Sequence, residues 1–240
     1  MTPRHPRRPR DPRRPILAGV ALALPLLVAA CGAGGTPTTI TESLPPATPG
    51  ASADAYPAGC PTTQPPALKA GETRTVTLTT EKGDIVIKIT ADLSPIAAGN
   101  FVALAECGWY DNVVFHRVVP TFVIQGGDGQ YGRSPNVDPQ QVGTGGPPYT
   151  IQDEPVTTAY HRGTVAMART AQPNSVGSQF FIVLDDGAAG SLSAPGYNNY
   201  QIIGEVTSGM EAADAITEAA AGVQIPPNPI VMTDVSVANP

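Results

Sequence analysis

The chain has 240 residues, 41% of them hydrophobic and only 14% charged, with a formal net charge of −6. Six of its 14 basic residues and one of its 20 acidic residues fall within residues 1–30, so the remainder holds 8 against 19, net −11. No basic patch survives in that remainder, which excludes nucleic-acid binding, and the three dispersed histidines (His5, His116, His161) with two cysteines beyond Cys31 do not make a metal site.

Residues 1–14 carry six arginines and one acid, Asp11, and are followed by an uncharged apolar run of fifteen residues, Ile16 to Ala30. A membrane-spanning helix needs about 20 such residues, so residues 1–30 read as the charged and apolar regions of a secretory signal. The run ends in Val28-Ala29-Ala30-Cys31-Gly32, which resembles a bacterial lipobox. That resemblance implies lipidation of the Cys31 thiol, cleavage before it and acylation of the new amino terminus. Each buried CH₂ adds about 0.8 kcal/mol of membrane affinity, so several acyl chains anchor stably. The expected location is extracytoplasmic, lipid-anchored to the bacterial cell membrane. Residues 31–71 are rich in Pro, Thr, Ala, Gly and Ser, with few large apolar side chains to offset the entropy of ordering. They read as a semi-extended tether.

Residues 72–240 form the folded domain, of a size for one good core. Thr73–Thr80 and Ile85–Ile89 alternate as a hairpin about the turn 81–84. Ser94-Pro95 opens a helix, with serine as the cap and proline at the first position. Ile96, Phe101, Leu104 and Ala105 give that helix an apolar stripe, and Gly108 closes it. Residues 129–148 are Gly- and Pro-rich, without apolar periodicity, and read as a long loop of the functional kind. Tyr149–Glu154, Gly163–Ala168, Ser178–Leu184, Ile202–Val206 and Ile230–Val237 read as strands, and Met210–Ala221 as a second helix. Many strands and two helices predict a mainly β fold, a closed antiparallel barrel capped by two α-helices.

The stretch Phe115-His116-Arg117-Val118-Val119-Pro120-Thr121-Phe122-Val123-Ile124-Gln125-Gly126-Gly127-Asp128 is the most informative. Side chains of a strand alternate between faces, so Phe115, Arg117 and Val119 share one face and His116 and Val118 the other. An arginine between apolar neighbours on one face reads, on strand logic alone, as the partner of a carboxylate at a sheet edge. The stretch is also similar to the signature of the cyclophilins, the peptidyl-prolyl cis-trans isomerases. Gly177-Ser178-Gln179-Phe180-Phe181-Ile182 resembles that family's GSQFFI strand, and Gly143-Thr144-Gly145-Gly146 and Val165-Ala166-Met167-Ala168 fall in family order between the two.

The resemblance implies an eight-stranded barrel and an enzyme that speeds rotation about X-Pro bonds. That reaction breaks no bond and needs no nucleophile, metal or cofactor. It implies Arg117 as the catalytic arginine, Gln125 as its orienting partner, and Phe122, Val123 and Phe181 as the proline pocket. Gln179 contacts the substrate, and Ala168, Arg169 and Thr170 supply backbone that pairs with it. The adjacent Phe180 and Phe181 must face opposite sides, one to the core and one to the pocket. The family usually has Trp or Phe, then Leu-Asp-Gly, then His or Tyr near the end of the site. Residues 185–200 here fit only at Tyr200, with Leu192 as a displaced leucine.

The partners implied are proline-containing polypeptides and, through the lipid, a membrane; a monomer is expected. A cyclophilin-fold module or chaperone that binds proline peptides with little turnover is the alternative. Cys60 and Cys107 either form a disulfide, as an oxidising compartment allows, or stay as thiols with Cys107 buried. Replacing Cys31→Ala is expected to move the protein out of the detergent phase on partitioning; retention there would rule out the anchor.

Overall fold

The computed structural model describes residues 56–194, 199–220, 222 and 224–239. The leader, Cys31 and most of the tether lie outside the described residues. Among the described residues nine strands occur in chain order: β1 (Thr73–Thr80), β2 (Gly83–Thr90), β3 (Val113–Val114), β4 (Arg117–Val119), β5 (Val123–Gly126), β6 (Thr164–Met167), β7 (Phe180–Val183), β8 (Ile202–Ser208) and β9 (Val231–Ala238). Three helices accompany them among the described residues: α1 (Pro95–Glu106), α2 (Asp186–Leu192) and α3 (Met210–Ala219).

The strands make one sheet in the order β3-β9-β1-β2-β8-β6-β7-β5-β4, with antiparallel pairing throughout. The expected closed eight-stranded barrel is therefore corrected to a curled, open sheet of nine strands. Its two edge strands, β3 and β4, are not paired with each other among the described residues. Loops satisfy their outer backbone groups instead. Val113 bridges to Arg133 and Val114 N–H donates to Gly132 O at 2.9 Å, while Val118 N–H donates to Gln224 O at 2.8 Å. Edges covered in this way need no further strand.

The main core fills the concave side of the sheet. Val76, Leu78, Ile85, Ile87 and Ile89 from the first hairpin meet Phe101 and Leu104 of α1 and Ile216 of α3 there. Phe101, Tyr110, Phe115 and Phe180 form a ring cluster with centroids 5.1–6.3 Å apart. Phe115 and Val118 both belong to this core, which corrects the expected two-residue alternation through 115–119. The chain leaves strand geometry at Phe115-His116, between β3 and β4, so two core residues sit three apart. Arg117 and Val119 are left on the other face.

Other local expectations are revised by tertiary contacts. Ser94 flanks α1, but its hydroxyl makes no capping bond. The carboxylate of Glu154 accepts from Ile96 N–H at 2.8 Å and Ala97 N–H at 2.9 Å instead. An anion suits a helix N-terminus, where unpaired N–H groups converge. Tyr149–Glu154 is not a strand; only an isolated bridge joins Ile151 to Val176. The segment 185–200 yields the third helix, α2, whose cap Asp185 accepts from Gly187 N–H at 2.7 Å; residues 195–198 lie outside the described residues.

Residues 56–71, the end of the stretch read from composition as tether, pack on α1 as a strap. Leu68 N–H donates to Pro95 O at 3.1 Å. A Cβ on Gly99 would lie 2.4 Å from Pro66 O, so only glycine permits this approach. With the sheet on one side and the strap on another, α1 is buried nearly all round. Cys60 and Cys107 are joined by a disulfide that fastens the strap to the end of α1, across 47 residues of sequence. A loop of that length implies about 4 kcal/mol of stabilisation through the unfolded state. Reduction, or Cys60→Ser with Cys107→Ser, is expected to lower the melting temperature by about 10 °C; equal melting with and without reductant would contradict this.

Candidate active site

The hairpin of β4 and β5 sets Arg117 opposite Gln125 and Val119 opposite Val123. Gln125 lies opposite Phe181 on β7, and Phe181 opposite Ala166 on β6. Directly opposed residues share a face. Arg117, Gln125, Phe181 and Ala166 therefore form one row across four strands, on the face away from the main core. Phe180 points into that core and Phe181 into a second, smaller cluster with Val123, Val183 and Leu192.

A chain of polar contacts runs from the arginine. Arg117 Nη1 donates to Gln125 Oε1 at 3.3 Å, and Gln125 Nε2 donates to Gln179 Oε1 at 3.0 Å. Gln179 Nε2 donates to the carbonyls of Gly143 at 3.0 Å and Gly145 at 2.9 Å. Each amide thus has its oxygen toward the arginine and its nitrogen away from it. The glycine loop at the far end is held by Asp128, which is fully buried. One Asp128 oxygen accepts from the N–H groups of Gln130 and Tyr131 at 3.1 and 2.9 Å, the other from those of Gly143 and Gly145 at 2.7 and 2.9 Å. A Cβ on Gly145 would sit 2.4 Å from Asp128 Oδ1, so glycine is required for this wrap.

Arg117 stands on an edge strand and has no carboxylate in ion-pair reach among the described residues. The pairing expected from strand logic alone is absent. Partial burial lowers its pKa from the usual arginine value, yet a guanidinium remains charged at neutral pH. A half-buried cation without a counter-charge exerts a stronger field than one in bulk water.

Beside it is a cleft of about 530 Å³ lined by Arg117, Phe122, Gln125, Phe181, Leu192 and Tyr200. Val123 and Phe181 form its apolar floor, 2% and 4% exposed. Tyr200 meets Phe181 edge-on, with ring centroids 5.3 Å apart. The Tyr160 hydroxyl fastens Tyr200 by donating to its carbonyl at 2.8 Å and accepting from its N–H at 3.1 Å. Burial pushes the Tyr160 phenol up to about 12, so it keeps its proton.

A second cleft of about 430 Å³ shares Gln125, Ala168 and Arg169 with the first and includes Thr170 and Gln179. Arg169 turns its guanidinium into its own loop, to Asp153 Oδ2 at 3.0 Å and to the carbonyls of Thr170 and Gln172 at 3.1 and 2.8 Å. Ala168 N–H is bonded to Gln179 O at 2.8 Å and Thr170 N–H to Ser175 Oγ at 3.1 Å. All ten residues expected at a catalytic or substrate-binding site thus line one pair of adjoining clefts. The sequence reading passed over Asp128, whose signal was a lone acid following Gly126-Gly127 ahead of a glycine-rich loop. It also missed Ser191 of α2 and Ala194 just beyond that helix, both of which line the cleft.

Residues 75–237 match the family described as cyclophilin type peptidyl-prolyl cis-trans isomerase/CLD. A probable peptidyl-prolyl cis-trans isomerase of Brucella abortus is 39% identical over 171 residues, covering 69% of this chain and 84% of the relative. A peptidyl-prolyl cis-trans isomerase of Streptomyces antibioticus is 36% identical over 170 residues, covering 68% and 98%. Among solved structures, a cyclophilin type isomerase of Cryptosporidium parvum superposes with a TM-score of 0.57 at 29% identity, covering 70% of this chain and 99% of that one. The same Cryptosporidium protein was also crystallised in the presence of the dipeptide Ala-Pro. The chain belongs to the cyclophilin family. It is a peptidyl-prolyl cis-trans isomerase, built on the mainly β cyclophilin fold.

Behind the polar chain lies His116, 5% exposed, with neither ring nitrogen hydrogen-bonded among the described residues. Burial lowers its pKa, the Asp128 carboxylate and the neighbouring Gln179 side chain oppose that shift, and the Arg117 cation adds to it. The unfolded chain takes up this proton near the ordinary histidine value of about 6.5, whereas the folded one resists it to lower pH. The stabilisation from neutral His116 is therefore complete above about 6.5 and is lost as pH falls from there toward the lowered folded value. Urea unfolding at pH 7.0 and 5.5 should show lower stability at the acid value, with a smaller drop in His116→Phe; equal drops would exclude His116 as the source.

Proposed function

We propose that this isomerase acts on polypeptides exported across the cytoplasmic membrane, held there by lipid on Cys31, with Arg117 as its catalytic residue. The observation that carries the catalytic assignment is the half-buried guanidinium without a carboxylate partner among the described residues, at the mouth of an apolar cleft. Rotation about a peptide bond is opposed by resonance, with a barrier of about 18–20 kcal/mol. Before proline the cis and trans states are close in energy, so the barrier alone needs lowering. At the twisted transition state the lone pair is localised on the prolyl nitrogen. A fixed N–H donor with positive charge then binds it better than it binds the planar amide.

In this reading Arg117 supplies that donor. Gln125 fixes the guanidinium through its oxygen, and its own orientation is set by Gln179 and the glycine carbonyls. Phe122, Val123, Phe181 and Leu192 grip the pyrrolidine ring, and Tyr200 closes the far wall. The carbonyl groups of Ala168 and Arg169 and the Gln179 amide border the path of the flanking peptide. The Ala-Pro dipeptide used with the Cryptosporidium relative is consistent with a ligand of this class. The Cys60–Cys107 disulfide supports a location outside the cytoplasm, since such bonds persist in oxidising compartments. The charged leader, the apolar run and Cys31 support the lipid anchor.

Exchange measurements of cis and trans X-Pro peptide with the full chain test the assignment. Arg117→Ala should lower kcat/KM by about 10²–10³-fold, the loss typical of one electrostatic donor, without a change in the circular dichroism spectrum. Undiminished turnover in the variant would remove Arg117 from the mechanism. Peptide binding without turnover in the unaltered chain would instead favour a proline-peptide binding module.

A further inference from the structure

The two clefts do not end at the glycine loop. A third hollow of about 320 Å³ shares Gly146 and Pro147 with the second cleft and continues to Tyr56, Trp109, Gln130 and Pro148. Tyr56 belongs to the strap and lies outside residues 75–237, the span matched to the family. This wall is therefore a feature of this chain rather than of the matched domain.

The hollow is rigidly built. The rings of Tyr56 and Trp109 lie 5.0 Å apart at 51°, and the Tyr56 hydroxyl donates to Pro61 O. The strap is tied down by the disulfide at Cys60 and by Gln152 N–H donating to Gln64 Oε1 at 3.0 Å. Trp109, 1% exposed, donates its indole N–H to Gly127 O at 3.3 Å. Gln130 Oε1 accepts from Gly146 N–H at 3.3 Å. The polar atoms of Tyr56 and Trp109 are thus already engaged, and no charged side chain among the described residues lines the hollow. Trp109 is buried, so what the hollow offers a ligand is the Tyr56 ring and the Pro147 and Pro148 rings, fixed in advance beside the Gln130 amide, a surface that suits an apolar side chain and gives a charged one no partner.

We propose that this hollow is an outlying subsite for an apolar or aromatic side chain of the same polypeptide whose proline occupies the first cleft. The inference rests on the isomerase reading of that cleft. Its occupant follows from continuity: the three clefts are joined in series through Gln125, Ala168 and Arg169, then through Gly146 and Pro147. A peptide that crosses the middle cleft in extended form reaches the third. The strap thereby adds selection among clients at a distance from the reacting bond, and the disulfide keeps that selection in place.

Dodecapeptides with one proline and a single leucine moved along otherwise serine and glycine positions test this with the full chain. Binding is read by fluorescence anisotropy and turnover by exchange. One position well removed from the proline should bind about fivefold to tenfold tighter with leucine than with serine. This leucine-to-serine ratio should persist in Tyr56→Phe and fall toward one in Tyr56→Ser, in Pro148→Ser on the exposed rim, and on reduction of the disulfide. The proposal fails if no distal position responds, as would occur if the chain's own residues ahead of Tyr56 filled the hollow. It fails equally if the ratio survives both Tyr56→Ser and Pro148→Ser. Turnover with no positional preference would overturn the subsite and leave the isomerase site standing. A Tyr56-dependent preference without turnover would overturn the catalytic reading and leave the subsite.

Discussion

The site depends on holding a guanidinium half out of water with no anion among the described residues to neutralise it. Arg117 achieves this because its fixed contact is a neutral amide oxygen, that of Gln125. A carboxylate there would bind the cation more tightly, but it would also cancel the field and compete for the donors. The amide chain Gln125–Gln179–glycine carbonyls orients the arginine without spending its charge. Its far end is immobile because one buried carboxylate, Asp128, collects four backbone N–H groups from two parts of the same loop.

The sheet's two faces divide the labour. The concave face carries the main core and the larger share of the stability. The other face carries the row Arg117, Gln125, Phe181 and Ala166, and the small cluster beneath it. The adjacent residues Phe180 and Phe181 tie the two together, since strand alternation sends one into each. Disturbing the core at Phe180 would therefore displace the cleft floor at Phe181 through the backbone they share.

Much of this was legible along the chain. The hairpin of β1 and β2, α1, the strands β6 and β7, and every residue expected to line the clefts follow from local pattern and from the signature blocks. Local pattern failed where the partner was remote. Ser94 looks like a helix cap, but Glu154, almost 60 residues away, takes that place because it offers full negative charge to two N–H groups. Phe115 looks as though it shares a face with Arg117, but covering the sheet edges with loops bends the chain between β3 and β4 and turns Phe115 inward. The stretch 56–71 looks like tether because it is poor in large apolar groups. It packs through glycine contact, backbone bonds and a disulfide, none of which hydrophobic periodicity reports.

The sequence by itself singled out the residues proposed to carry the chemistry, because they lie in and beside blocks that resemble the cyclophilin signature, whereas strand alternation alone gave Arg117 a different reading. It also determined the pleat that separates Phe180 from Phe181. Only the tertiary structure decided that Arg117 lacks an acidic partner among the described residues, that Leu192 of α2 completes the cleft, and that the strap brings Tyr56 to its far end. The reason is physical. Alternation and capping are set by neighbours within a few residues, whereas the absence of a counter-charge and the closing of a cleft depend on segments brought together from across the chain.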